Sequence, residues 1–240
     1  MMNWLPDGGV PGPLGPGEIV VWRVAGIADA RRSVALEPLL SQDERERAQA
    51  TAHPDIRAAF MVTRGTLRRI LARHLGTDPA ALRFDYGPTG KPSLRGGPVE
   101  FSVTHTAEGA LIALADGRVG VDLERVRERP RMAQILDRLF APATRLALRA
   151  LPAPERLHAF HAAWTQREAY VKAVGGGIFS TPDLLPFVHP GAAAELVSEH
   201  GSGETWTVVP LQPWPSHCSA VVAHGAAEQI RLFDASALDG

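Results

Sequence analysis

Cysteine is nearly absent from this 240-residue chain. Cys218 is the single copy, so no intrachain disulfide forms and a secreted, disulfide-stapled fold is excluded. A reducing cytoplasm is the expected compartment. Long apolar runs are missing too. None approaches the ~18 residues of a membrane span, and the first residues lack the basic, apolar and small-residue order of a signal peptide. Neither charge dominates: 25 Lys and Arg stand against 26 Asp and Glu, so no bulk basic face exists for nucleic acid, and any anion must be held by a local cluster. No Walker-type or dinucleotide-binding fingerprint is found.

The chain opens with "MMNWLPDGGVPGPLGPG", which holds five Gly and four Pro in seventeen residues. That composition buries too little surface to order itself, so residues 1–17 are expected to form a disordered arm. "EIVVWRVAG" alternates and reads as the first strand. Ser41 and Glu44 have the spacing of a capping box that starts a charged helix. The run "DIRAAFMVTRGTLRRILARHLG" reads as a long helix stopped by Gly76. After a turn at "YGPTGKP", the segments "VEFSVTH", "GALIALAD" and "RVGVDLE" read as three strands of one antiparallel sheet. The order then repeats. A second long helix from about Pro154 to Val174 is stopped by the glycines that follow, and "ETWTVVP", "HCSAVVAH" and "QIRLFDA" supply further strands. The class is therefore α+β, with two similar lobes related by a pseudo-two-fold, each a long helix on a small, mainly antiparallel sheet. Residues 18–118 would form the N-terminal lobe and 119–240 the C-terminal lobe.

Two acids at i and i+2 of a strand share a face, so Asp122 and Glu124 in "GVDLE" project together while Leu123 points away. Their repulsion is relieved by water or by a cation, and hard oxygen ligands suit Mg²⁺. A strand end fraying into solvent explains the pair equally simply. Further on, Glu168 and Lys172 of "WTQREAYVK" lie one helical turn apart, as an ordinary surface pair also would. His158 and His161 are three apart, but nothing local completes a metal set with them, so packing is the simpler account. Cys218, among strand residues, reads as a buried structural thiol.

"GVDLE" followed by "WTQREAYVK" resembles the two signature motifs of the 4'-phosphopantetheinyl transferases, of the larger pseudo-dimeric, surfactin-synthetase-activating type. Gly120, Asp122 and Glu124 fit the first motif, and Trp164, Glu168 and Lys172 fit the second. Arg167 stands where Lys is usual, which keeps the charge but not the geometry. "TGKPSL" is similar to the family's Gly-Lys-Pro turn. "FSVTHT" is similar to its Phe-Ser-x-Ser-His-Ser strand end, with Thr104 and Thr106 in place of serines.

The resemblance implies transfer of phosphopantetheine from coenzyme A to a serine of an apo acyl or peptidyl carrier protein, as in polyketide and nonribosomal peptide synthesis, by a monomer of the holo-acyl-carrier-protein synthase type. Asp122, Glu124 and Glu168 would hold Mg²⁺. Glu168 would be the general base, with Glu124 or a metal-bound water as alternatives. Lys172 and His105 would act on the phosphates, and Gly90, Lys91, Pro92, Thr104 and Arg167 would line the coenzyme site in addition. Arg47, Arg57 and Arg64 are candidates for the 3'-phosphate, and the basic stretch from Arg125 to Arg138 for carrier docking. A metal-dependent coenzyme A pyrophosphatase or phosphodiesterase, and a non-catalytic carrier-binding module, stay open as alternatives.

Overall fold

The computed structural model describes residues 4–5, 12–88 and 90–239. Its elements are β1 (Glu18–Ala25), α1 (Ala30–Leu36), α2 (Gln42–Gln49), α3 (Pro54–Leu75), β2 (Phe84–Tyr86), β3 (Pro92–Leu94), β4 (Glu100–His105), β5 (Gly109–Ala115), β6 (Val119–Arg125), α4 (Met132–Leu139), α5 (Pro142–Ala150), α6 (Ala153–Val174), β7 (Glu195–Ser198), β8 (Thr205–Leu211), β9 (His217–His224) and β10 (Gln229–Asp234). The chain is α+β, with one sheet ordered β10-β1-β5-β4, a second ordered β6-β9-β8-β7, and a small β2-β3 hairpin.

Strand alternation sorts the core into layers. In β1, Val20, Trp22 and Val24 join Val62, Leu67, Ile70 and Leu71 of α3, while Ile19 and Val21 face the opposite way. Those two meet Val119, Val121 and Leu123 of β6, with Val209 and Val221. The other face of the second sheet, through Val208, Ala220 and Val222, packs on Ala169, Tyr170 and Ala173 of α6. The layers therefore run α3, first sheet, second sheet, α6. Each lobe repeats one plan: a strand, a helix of 22 residues, then a hairpin whose second strand pairs antiparallel with the first strand.

Local chemistry sets the helix ends. Ser41 and Glu44 form the reciprocal capping box of α2. Gly76 and Gly175 close the long helices in the left-handed conformation, at φ 62° and 73°, where a side chain is strained.

Three expectations need correction. β6 does not continue the sheet of β4 and β5: β5 pairs with β1 and β4, and β6 pairs instead with β9, as the edge strand of the second sheet. β10 leaves the second lobe. It pairs parallel with β1, burying Leu232 between the sheets and stacking Phe233 on Trp22 at 4.8 Å, so these late residues belong with the first lobe. The arm is tied down where it is described: Leu5 donates to Leu232 O at 2.8 Å, Trp4 lies under Arg23, and Gly12 O meets His74 Nδ1 at 3.1 Å. Residues 1–3 and 6–11 of the expected arm lie outside the described residues. Among the described residues, no helix is long and apolar enough to cross a membrane.

Gly120 is the point of closest approach between α6 and β6. A Cβ there would overlap the Ala169 carbonyl and stand 2.6 Å from Ala173 N, both backbone atoms that cannot swing aside. Gly120→Ala is expected to cost about 3 kcal/mol or more, the upper range for overpacking, read as a lowered denaturation midpoint. Burial pushes the Cys218 thiol up to about 12, so it should resist disulfide reagents at pH 8 in the folded protein and react only on unfolding. Reaction of the native thiol at the rate of a free one would contradict this burial.

Candidate active site at the seam between the lobes

Edge strand β4 of the first sheet and edge strand β6 of the second lie side by side, stitched by Ser102 Oγ, which accepts from Val121 N at 3.1 Å. Helix α6 crosses the face of β6 that carries Gly120, Asp122 and Glu124. Because the glycine lets the helix settle, Lys172 reaches back to the strand. Its ammonium donates to Asp122 Oδ1 at 2.7 Å and to Val121 O at 3.2 Å. A cavity of about 620 Å³ opens here, lined by Thr104, His105, Asp122, Glu124, Glu168 and Lys172 among others. A second cavity of about 350 Å³ shares Val103, Glu168 and Lys172 with it and is walled by Gly90, Lys91 and Pro92. Glu168 and Lys172 thus stand where the two cavities meet.

The three acids differ in their partners. Asp122 is only 6% exposed; besides Lys172 it accepts from Thr104 Oγ1 at 3.3 Å, and its Oδ2 is buried with no hydrogen-bond partner among the described residues. Glu124 accepts from Trp164 Nε1 at 3.1 Å through one oxygen and from the Arg129 guanidinium through the other. Glu168 is half-buried between Asp122, Lys172 and Glu124. Burial first, and the Asp122 charge second, raise the pKa of both Glu124 and Glu168 above the ordinary carboxylate range. His105 is exposed to the cavity yet crowded enough to lose hydration. That loss lowers its pKa, and the Lys172 charge lowers it further.

Among the described residues, no group of three His, Cys, Asp or Glu side chains is set as an ion site. Lys172 and Arg129 supply the positive charge beside Asp122 and Glu124 instead. The donor set nevertheless suits a hard divalent cation: three carboxylates face one cavity, one of them offers an unpartnered buried oxygen, and the other two are destabilised as anions by burial and by the Asp122 charge.

Other expected residues sit differently. Arg167 turns away from the cavity and is buried, donating to Ile178 O at 2.9 Å and Thr181 O at 2.7 Å with Asp183 nearby. It lies next to Glu168 on the helix, and adjacent helical positions do not share a face. The Lys91 ammonium donates to Lys172 O at 2.8 Å and Val119 O at 3.2 Å, so it fastens the turn to α6 and β6. Thr104 supports Asp122. None of the three candidate arginines lines either cavity. Arg57 donates to Thr51 O at 2.9 Å beside a separate groove against α1 and α2. Arg64 pairs with buried Glu44 and lies over Phe60, Phe84 and Tyr86, and Arg47 lies over Phe60. Since Tyr86 is on the hairpin that carries Gly90 to Pro92, Arg47 and Arg64 flank that hairpin. Trp164 and Arg129 are the hydrogen-bond partners of Glu124, a role the sequence reading did not give them: Trp164 is there only a motif match, and Arg129 only part of the basic stretch expected to dock the carrier. The signal for Trp164 was its motif position four residues before Glu168, on one helical face; nothing in the basic stretch marked Arg129 as the residue that turns back to Glu124.

A model of the 4'-phosphopantetheinyl transferase superfamily matches residues 118–222, which include Asp122, Glu124, Trp164, Glu168 and Lys172. The 4'-phosphopantetheinyl transferase HetI of Nostoc sp. is 33% identical over 211 residues, covering 86% of this chain and 87% of that protein. A phosphopantetheinyl transferase of Thraustochytrium sp. is 32% identical over 237 residues, 89% of this chain and 81% of its own. The 4'-phosphopantetheinyl transferase Sfp of Bacillus subtilis is 23% identical over 140 residues, 58% of this chain and 62% of its own. With the seam site and these similarities together, the chain belongs to the 4'-phosphopantetheinyl transferase superfamily.

Proposed function

We propose that the protein transfers the 4'-phosphopantetheine group of coenzyme A to a serine hydroxyl of an apo acyl or peptidyl carrier protein, releasing adenosine 3',5'-bisphosphate. The observation that carries this reading is the meeting of three carboxylates with Lys172 where two cavities join. One cavity has space for a pyrophosphate and an incoming side chain; the other runs along the Gly-Lys-Pro turn.

The serine oxygen attacks the phosphorus nearer the pantetheine, a P–O bond forms, and the bond to the bridging oxygen of the pyrophosphate breaks. Glu168 takes the serine proton, and burial, by raising its pKa, makes it a stronger base than a free carboxylate. Lys172, held by Asp122, balances charge growing on the departing bisphosphate. His105 offers a ring N–H to a phosphate oxygen from the facing strand end. Mg²⁺ would be held by Asp122, Glu124 and Glu168, and when bound it supplies charge neutralisation of the pyrophosphate. Arg47 and Arg64, beside the hairpin, are the better placed of the candidate arginines for the 3'-phosphate.

The carrier docks along the basic segment that follows β6. Arg125 and Arg127 are exposed on the wall of the larger cavity, and Arg138 lies over the exposed Phe179 ring. The apolar face of α4 packs inward, through Ile135, Leu136 and Leu139 against Phe140 and Phe160, so charge and Phe179 are what this surface offers an acidic partner.

Incubation with coenzyme A, Mg²⁺ and a panel of apo carriers should add one phosphopantetheinyl group to the carrier serine, seen by intact-protein mass spectrometry. Cleavage of coenzyme A at the same rate without a carrier would instead mark a pyrophosphatase, and carrier binding without any turnover a non-catalytic module. Glu168→Gln is expected to lower kcat by about 10²–10⁴, the usual contribution of a general base, while carrier binding persists. Because the Lys172 charge opposes the upward shift of Glu168, Lys172→Met should raise the Glu168 pKa further, read by carbon-13 NMR of the side-chain carboxyl. A fall in that value would contradict the geometry.

A further inference from the structure

His161 is a buried ionisable group that the proposed chemistry leaves unused. Its ring is fully buried on α6, edge-on to Phe160 at 5.7 Å. Nε2 lies 2.8 Å from Arg127 O and 3.3 Å from Arg127 N, whereas Nδ1 is buried without a partner among the described residues. The shorter contact makes Nε2–H the donor to the Arg127 carbonyl. An apolar side chain would fill this space and leave no nitrogen unsatisfied. A histidine that tolerates an orphaned Nδ1 points to a role for the Nε2 contact.

That contact falls on the irregular segment between β6 and α4. The segment leaves the strand with Val126 N donating to Ser216 O at 2.8 Å, is gripped by His161 at Arg127, and then folds back so that Arg129 meets Glu124. Along α6, His161, Trp164, Glu168 and Lys172 follow one another at spacings of three and four residues, a single helical face. Each engages the strand or its continuation or faces the cavity: Lys172 holds Asp122, Trp164 holds one oxygen of Glu124, and His161 holds the segment whose Arg129 takes the other oxygen.

We propose that His161 is a positioning residue for the reaction: by clamping the Arg127 backbone it keeps Arg129 on Glu124 and so fixes the orientation of that carboxylate. This rests on the reading of Glu124 as a ligand of the divalent cation. Partners behind a ligating carboxylate typically carry about 10–100-fold in metal affinity or activity.

The test compares His161→Met, which fills the space without a donor, with His161→Gln, whose amide can donate to the Arg127 carbonyl, and with Arg129→Gln. Hydrogen–deuterium exchange of residues 125–131 is read alongside the Mg²⁺ concentration for half-maximal transfer and the melting temperature. His161→Met should melt close to wild type yet exchange faster in this segment and need about tenfold more Mg²⁺. His161→Gln should restore both. Arg129→Gln should reproduce the Mg²⁺ shift, and combining it with His161→Met should add little more, because both act on Glu124. The proposal is overturned if His161→Met matches wild type in exchange and Mg²⁺ requirement while His161→Gln only lowers the melting temperature, the pattern of a packing residue. Failure of the parent reading looks different: the wild-type protein itself then transfers nothing, and the exchange comparison still decides whether His161 clamps the segment.

Discussion

The backbone contact between α6 and β6 at Gly120 is the constraint on which the site depends. Only a residue without a Cβ lets the helix lie against the strand at Ala169 and Ala173. That closeness brings the Lys172 ammonium within reach of Asp122 and the Val121 carbonyl, and it sets Glu168 and Trp164 over the strand face that holds Asp122 and Glu124. The Gly-x-Asp-x-Glu pattern therefore carries three instructions of one kind. The glycine fixes distance, the alternation fixes direction, and the apolar residues between them bind the strand to the opposite sheet through Val121 and Leu123.

Placing the site between two lobes has an electrostatic logic. Carboxylates crowded at a half-buried seam repel, and the protein offsets the repulsion with one cation from the helix, Lys172, and one from the following segment, Arg129. Neither is fully withdrawn from water, so these pairs contribute little to stability as such. Their value is geometric: Lys172 holds Asp122 in place from the helix, and Arg129 holds Glu124 from the following segment.

Much of this was legible in the sequence because it is local. The capping box of Ser41 and Glu44, the stops at Gly76 and Gly175, and the shared face of Asp122 and Glu124 follow from spacings of a few residues. The illegible parts are long-range. That β6 pairs with β9 and not with the strands just before it depends on a segment far along the chain, and nothing in "RVGVDLE" records this. Arg167 matches a motif position yet faces the loop after α6, because the phase of the helix, not the motif, decides where it points. Lys91 is expected from its turn to line the coenzyme site, but two carbonyls from separate elements claim its ammonium.

The return of β10 to β1 bears on the order in which the molecule is made. Arg23 of β1 and its partner Asp234 of β10 are 211 positions apart, joined by an ion pair at 2.8 Å across a parallel strand pair. A ribosome delivers the first lobe long before this strand, so β1 emerges with one edge unpaired and waits through synthesis of the entire second lobe. When β10 arrives it completes the first sheet and adds Leu232 to the apolar layer between the two sheets.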